Sequence, residues 1–206
     1  MIYLLRHGQT DYNRDGRLQG QTDSQLTSLG MAQVQAMANV LADQIGDLEG
    51  WRILASPLRR TRQSAAIVSR TLRLPVEIDP ALIEVGCGSW ENRMYADLRV
   101  EHPETFASRE WVFGSPDGER FEDVDARVRP WLANLPPEPE RKIIAVSHGI
   151  AGVLMRGAYQ GLSREATMEQ DTPQDALFRL WGGKVERLAC VPGDPVTIHL
   201  LATKPA

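Results

Sequence analysis

Two histidines, a group of arginines and one glutamate are the residues of this chain best suited to chemistry. Arg6-His7-Gly8-Gln9-Thr10 follows the apolar run Ile2-Tyr3-Leu4-Leu5, so a guanidinium and an imidazole stand together where a buried strand should end. Ser147-His148-Gly149 repeats the design after Ile144-Ala145-Val146, and Ser56-Pro57, with Arg59, Arg60 and Arg62 behind it, follows Ile53-Leu54-Ala55. If these strands are parallel neighbours, their carboxyl ends converge on one crevice, the usual ligand site of an open α/β sheet. The residue types suit phosphate. A guanidinium fork matches tetrahedral oxyanions, and a neutral imidazole can attack phosphorus to form a covalent intermediate. Arginines and helix N-termini then neutralise the equatorial oxygens. The glycine after each histidine is expected to let backbone approach the ligand and leave N–H groups pointing at it. Because an alkoxide leaves poorly, a general acid is also required. Glu84, in a Gly-rich stretch near Trp90, is the candidate, with the indole expected to screen it from water.

The elements along the chain must hold these groups in place. Residues 2–6 read as a buried strand and 12–25, with Gly16 and Gly20, as a long loop. Thr27 reads as the N-cap of a helix running to Gly46, with Leu29, Val34, Met37, Val40 and Leu41 at helical spacing. Residues 51–55 form a second strand. Ser56 is then expected to cap a helix with Pro57 at its first position, its stripe made by Leu58, Ala65, Val68 and Leu72. A short extended piece at 76–78 and a loop at 84–92 precede a weakly patterned region, 94–119, holding one or two short helices. A helix at 121–135, a buried strand at 142–147 and a helix at 149–159 follow. Residues 176–180 and 184–189, joined by Trp181-Gly182-Gly183, make a hairpin, and 197–201 a last strand. With no internal repeat or linker, this alternation predicts α/β architecture. The expected form is one domain over 1–206, a three-layer α/β/α sandwich with a mostly parallel central sheet. A helical insertion at about 92–120 is expected to cover the active edge as a lid or specificity element.

Composition sets outer limits. The net charge of −4 argues against a nucleic-acid partner, which needs a basic face. All but three of the 23 basic residues are arginine, which supplies candidates for an anion site. No run of about 18 apolar residues exists to cross a membrane. Two cysteines, Cys87 and Cys190, with no leader-like start, point to a reducing cytoplasm. Cys87 reads as a packed thiol, and His102 and His199 receive no role. Oligomeric state is not legible.

The residues quoted above resemble a known family. Arg6-His7-Gly8-Gln9-Thr10 with Asn13 is similar to the Arg-His-Gly-x-Thr-x-x-Asn signature of the histidine phosphatase superfamily, also called phosphoglycerate mutase-like. Residues 17–30 resemble its next segment, Ser56-Pro57-Leu58-Arg59-Arg60-Thr61-Arg62-Gln63-Ser64-Ala65 its Ser-Pro-Leu-x-Arg helix, and Ser147-His148-Gly149 its second histidine. The likeness spans 2–160 in the family's order. It implies that His7 is the phospho-accepting nucleophile and that Arg6, Arg60 and His148 bind the phosphoryl group, with Asn13 assisting. Glu84 would protonate the leaving oxygen and then deprotonate water. Spacing leaves Arg59, Arg60 and Arg62 open, and the family pattern selects Arg60. Gln19 and Gly20 fall where relatives contact substrate, and Gly149 is a substrate-binding candidate through its backbone N–H. No metal or other cofactor is implied, and the partner is a small phosphorylated substrate.

Two departures bear on substrate. Pro116-Asp117-Gly118-Glu119-Arg120 stands where phosphatase-type relatives carry Pro-x-Gly-Glu-Ser, and Arg120 near the pocket would favour a second anionic group. The long insertions of cofactor-dependent mutases are missing from 92–120, so the resemblance favours a metabolite phosphatase over mutase-type phosphoryl transfer. A non-catalytic phospho-ligand module is the other alternative. A metal site built from His7, His148 and Glu84 is disfavoured, because neither histidine has a ligand-spaced neighbour and the arginines would repel a cation.

Overall fold

Alternation along the first strand sets the layers. In β1 (Ile2–Arg6), Ile2 and Leu4 enter one buried cluster while Tyr3 and Leu5 enter another, as successive side chains of a strand must. The computed structural model describes residues 1–192, so the strand expected at 197–201, and His199, lie outside the described residues. After β1 come α1 (Asp11–Asp15), α2 (Ser28–Gln44), β2 (Arg52–Ala55), α3 (Arg59–Leu72) and β3 (Val76–Ile78). Then follow α4 (Tyr95–Glu101), α5 (Pro103–Phe106), α6 (Phe121–Asn134), β4 (Ile143–Ser147), α7 (Gly149–Gln160), α8 (Arg164–Met168), β5 (Ala176–Trp181) and β6 (Lys184–Ala189).

The strands form one sheet in the order β3-β2-β4-β1-β5-β6. The pairs β3–β2, β2–β4 and β4–β1 are parallel, and among the described residues only β5 runs against the other strands. Arg6 pairs with Ser147 and Ala55 with Val146, so the three strands that carry the polar signatures end level with one another. Helices α2 and α3 cover the face holding Tyr3, Leu5, Ile53, Ile144 and Val146. The other face, with Leu4, Leu54, Ile143 and Ala145, packs against α6, α7 and the segment 82–113. This is the expected α/β/α layering. The two-residue turn Gly182-Gly183 has both φ angles positive (57° and 72°), which suits glycine in a tight hairpin.

Local chemistry departs from expectation at two places. Residues 11–15, read as loop, form the short helix α1: Thr10 Oγ1 accepts from Asn13 N, and Asn13 Oδ1 accepts from Thr10 N, both at 3.2 Å. This reciprocal cap is a Thr-x-x-Asn version of the capping box. Helix α3 begins only at Arg59, capped by Leu58 without a side-chain bond, so Ser56 is not its cap. Its hydroxyl is used elsewhere.

Candidate active site

The level ends of β1, β2 and β4 bring Arg6, His7, Arg60 and Glu84 to the wall of one cavity of about 130 Å3, with Asn13, Gln19, Gly20 and Gly149. His148 lies just behind, 2% exposed, its ring edge-on to His7 with centroids 5.3 Å apart. The candidate catalytic and substrate-binding residues named from sequence thus fall in this neighbourhood, though by different means.

His7 is 2% exposed and leaves β1 with its N–H donating to the Ser147 carbonyl. Its Nδ1 lies 2.8 Å from the Gly8 carbonyl, which can only accept, so Nδ1 carries the proton and Nε2 keeps its lone pair. Burial, then the charges of Arg60 and Arg6, push the imidazole well below its ordinary value of 6.5 and keep it neutral. His148 is depressed in the same way, by burial and then Arg60. Its Nδ1 accepts from Arg60 Nε at 3.2 Å, so its proton sits on Nε2, which donates to Ser56 Oγ at 2.7 Å. Ser56 thus fixes a tautomer, a role its place before a proline had hidden.

Arg60 is fully buried on the first turn of α3. Nη1 donates to the Thr22 carbonyl at 2.8 Å and Nη2 to the Gly20 carbonyl at 2.6 Å. Burial lowers its pKa to about 10, offset by Glu84 and Asp23, so it remains cationic at neutral pH. Arg59 instead pairs with Gln25 at the surface, and Arg62 is exposed. The structure therefore separates the three arginines that spacing left open. Arg6 donates to the Thr172 carbonyl, while its Nε is buried without a partner. An orphaned charged donor on a cavity wall is a place for an anionic oxygen.

Glu84 does not sit as expected. Its Oε2 accepts from Gly149 N (3.0 Å) and Ile150 N (3.2 Å), and its Oε1 from Ala151 N (2.9 Å) and Val85 N (3.0 Å). The carboxylate caps the N-terminus of α7, favourable both for the helix dipole and for the orphan donors of the first turn. Two expectations fall with it. Gly149 N–H is occupied by Glu84 rather than free for a ligand, and Gly8 is needed against protein: a Cβ there would lie 2.1 Å from the Gly30 carbonyl oxygen. Trp90 is not the screen; it is buried against His102 and Phe106, and the aromatic cavity walls are Tyr95 and Trp111.

Second-layer groups hold this frame. Arg127 donates to the carbonyls of Ile83 and Glu84 and to Glu119, whose other oxygen accepts from Gly86 N at 2.7 Å. The 116–120 motif therefore clamps the Glu84 loop. Arg120 itself donates to the Phe113 and Pro116 carbonyls and does not line the cavity, which corrects the expectation of a third cation there. Gln174, unmarked in the sequence, donates to the His7 carbonyl (3.3 Å) and to Asn13 Oδ1 (3.1 Å). With Oδ1 of Asn13 so occupied, its amide nitrogen is the end available to a ligand. Gln19 Oε1 accepts from Thr10 and Ser24. Gly20 has φ +52°, and a Cβ there would meet the Glu91 carboxylate at 2.1 Å. Cys87 is buried, and burial followed by Glu84 and Glu91 raises its thiol far above the usual range. Among the described residues no three of His, Cys, Asp or Glu are grouped to hold a metal ion, and no helix is long and apolar enough to cross a membrane.

Known proteins resemble this chain in sequence and in fold. The chain is 36% identical over 159 residues to glucosyl-3-phosphoglycerate phosphatase of Mycobacterium tuberculosis, covering 72% of this chain and 70% of that protein. A probable phosphoglycerate mutase of Enterobacter is also 36% identical, over 156 residues, covering 73% and 70%. The solved mycobacterial glucosyl-3-phosphoglycerate phosphatase with VO3 superposes with a TM-score of 0.78 at 32% identity, over 92% of this chain and 96% of that one. The sequence pattern of one family matches residues 2–180, and with the paired histidines and arginines at the level strand ends it shows that this chain belongs to the histidine phosphatase superfamily, branch 1.

Proposed function

We propose that this chain hydrolyses phosphomonoesters of small metabolites through a phosphohistidine at His7. The observation that carries the reading is a neutral, buried imidazole whose Nδ1–H is held by a carbonyl, leaving the Nε2 lone pair beside two arginines on one cavity wall. Nε2 attacks phosphorus and the bond to the ester oxygen breaks; that oxygen takes the proton of Glu84, which enters this step as the carboxylic acid and leaves it as the carboxylate. In the second half Glu84 takes a proton from water, the water oxygen attacks phosphorus, and the P–N bond breaks to return neutral His7 and inorganic phosphate. Arg6 Nε, lacking any partner, and the Arg60 guanidinium meet the phosphoryl oxygens, with the Asn13 amide nitrogen beside them. To move a proton, Glu84 must exchange one of its N–H bonds, and the Ile150 bond at 3.2 Å is the longest.

Residues 92–120 supply Tyr95, Trp111 and Val112 to the cavity, which supports reading them as a specificity element of one catalytic unit. Metal independence belongs to the proposal: enzyme stripped with EDTA should keep full activity, and loss of activity rescued by added metal would contradict it. Two buried, unpaired thiols support a reducing, cytoplasmic setting. The central test is acid-quenched trapping. Wild-type protein given a labelled aryl phosphate should yield phosphohistidine at residue 7, and His7→Ala should release no phosphate while keeping its circular dichroism. Retained turnover would remove His7 as nucleophile. The name of the Enterobacter relative favours a second reading, mutase-type transfer, in which the trapped phosphoryl group passes to phosphoglycerate faster than to water.

A further inference from the structure

Beside its polar groups the cavity is lined by Leu18, Val85, Tyr95, Trp111, Val112 and Ile150, and it is against these side chains that the alcohol half of a phosphomonoester would lie. The aromatic part is braced by other rings. Tyr95 meets Trp111 edge-on with centroids 5.4 Å apart, Trp111 stacks on Phe106 at 4.8 Å and 14°, and Phe106 stacks on the buried Trp90. Trp111, held between Tyr95 and Phe106, presents a preformed apolar surface and loses little freedom on binding.

Charge points the same way. Among the described residues lining the cavity the cations are Arg6 and Arg60, enough to balance one phosphoryl dianion. Arginines that the same segments could have supplied are engaged elsewhere. Arg17 donates to the Asn92 carbonyl, Arg93 pairs with Glu101, Arg109 with Glu169, and Arg120 with two backbone carbonyls. A carboxylate or second phosphate on the alcohol half would face apolar carbon with no cation left to meet it, an unpaired charge withdrawn from water.

Accepting the phosphatase reading above, we infer that the substrate is the monophosphate of an uncharged, apolar or aromatic alcohol, recognised by the Tyr95–Trp111 wall, and not a phosphoglycerate or a bisphosphate. The substrate named for the mycobacterial relative, a phosphoglycerate derivative, carries the carboxylate that this wall disfavours.

Phosphonates separate this inference from the catalytic reading, because their binding needs no turnover. Calorimetry should show benzylphosphonate binding at least tenfold more tightly than 4-carboxybenzylphosphonate, two ligands that differ in one charge. Trp111→Ala should weaken benzylphosphonate about tenfold and inorganic phosphate less than twofold, with Trp111→Phe, which keeps the stack on Phe106, lying between. Equal or tighter binding of the carboxylated ligand overturns the substrate class, as does a uniform loss of both ligands in Trp111→Ala. In turnover, benzyl phosphate should exceed 4-carboxybenzyl phosphate by a similar factor in kcat/KM. Selective phosphonate binding without hydrolysis of either ester would sink the phosphatase reading and leave the wall's preference standing.

Discussion

A histidine can be a nucleophile only if its partners leave one nitrogen free, and here a single carbonyl decides which. His7 gives its Nδ1 proton to Gly8, while His148 accepts from Arg60 and donates to Ser56. These bonds could not be seen from residue types, since Ser56 looked like a helix cap and the Gly8 carbonyl has no sequence signature. Glu84 presents the sharper residue-scale question, because one carboxylate both caps α7 and lines the cavity. In Glu84→Gln, loss of proton transfer should lower kcat on alkyl phosphates at least 100-fold and on 4-nitrophenyl phosphate about tenfold, since a better leaving group needs less protonation. Capping alone would cost both substrates equally, and steady-state kinetics on the pair distinguishes the two roles. The amide keeps one acceptor oxygen, so the expected loss of stability, read by urea unfolding, is about 1 kcal/mol.

At the scale of elements, the signatures are strand ends whose neighbours lie far away in sequence. The periodic stretches that became β1, α2, α6, β4 and α7 were legible because each must bury an apolar stripe. Helix α1 was missed because its five residues include no buried one and its signal is the cap itself. Close packing of elements was equally hidden. Gly8 and Gly30 meet where the chain leaving β1 crosses the start of α2; a Cβ on Gly30 would lie 2.0 Å from the Gln9 carbonyl oxygen, and one on Gly8 2.1 Å from that of Gly30. Because the opposing atoms are backbone, neither can yield without moving an element. Gly8→Ala should therefore destabilise the fold by roughly 3 kcal/mol and displace His7. Urea unfolding with phosphate-release assays checks this, and a change under 0.5 kcal/mol with full activity would show that the two elements can separate freely.

Over the whole molecule, burying two neutral imidazoles couples stability to pH. Both His7 and His148 titrate well below 6.5 in the folded chain, through burial and then Arg60, while in the unfolded chain they take up protons near 6.5. As pH falls through that value the unfolded state binds more protons than the native state. Stability is thus full above about 6.5 and falls below it, by roughly 1.4 kcal/mol per pH unit for each histidine until the folded values are reached. Thermal unfolding from pH 8 to 5 should show this decline, and His148→Gln should shallow it. A flat profile would mean that the imidazoles protonate normally in place.

The sequence by itself determined the α/β architecture and the three convergent strand ends, and it marked His7, Arg6, Glu84 and His148 as candidates for the chemistry. Hydrophobic periodicity and residue type are local properties, and both are written along the chain. Only the tertiary structure decided which partners hold Arg60 inward, that Glu84 caps α7, that Arg120 stays outside and that Tyr95 and Trp111 line the cavity. Each of those depends on which backbone groups and rings arrive from tens of residues away, and a buried polar group takes the partner that the packing brings within reach.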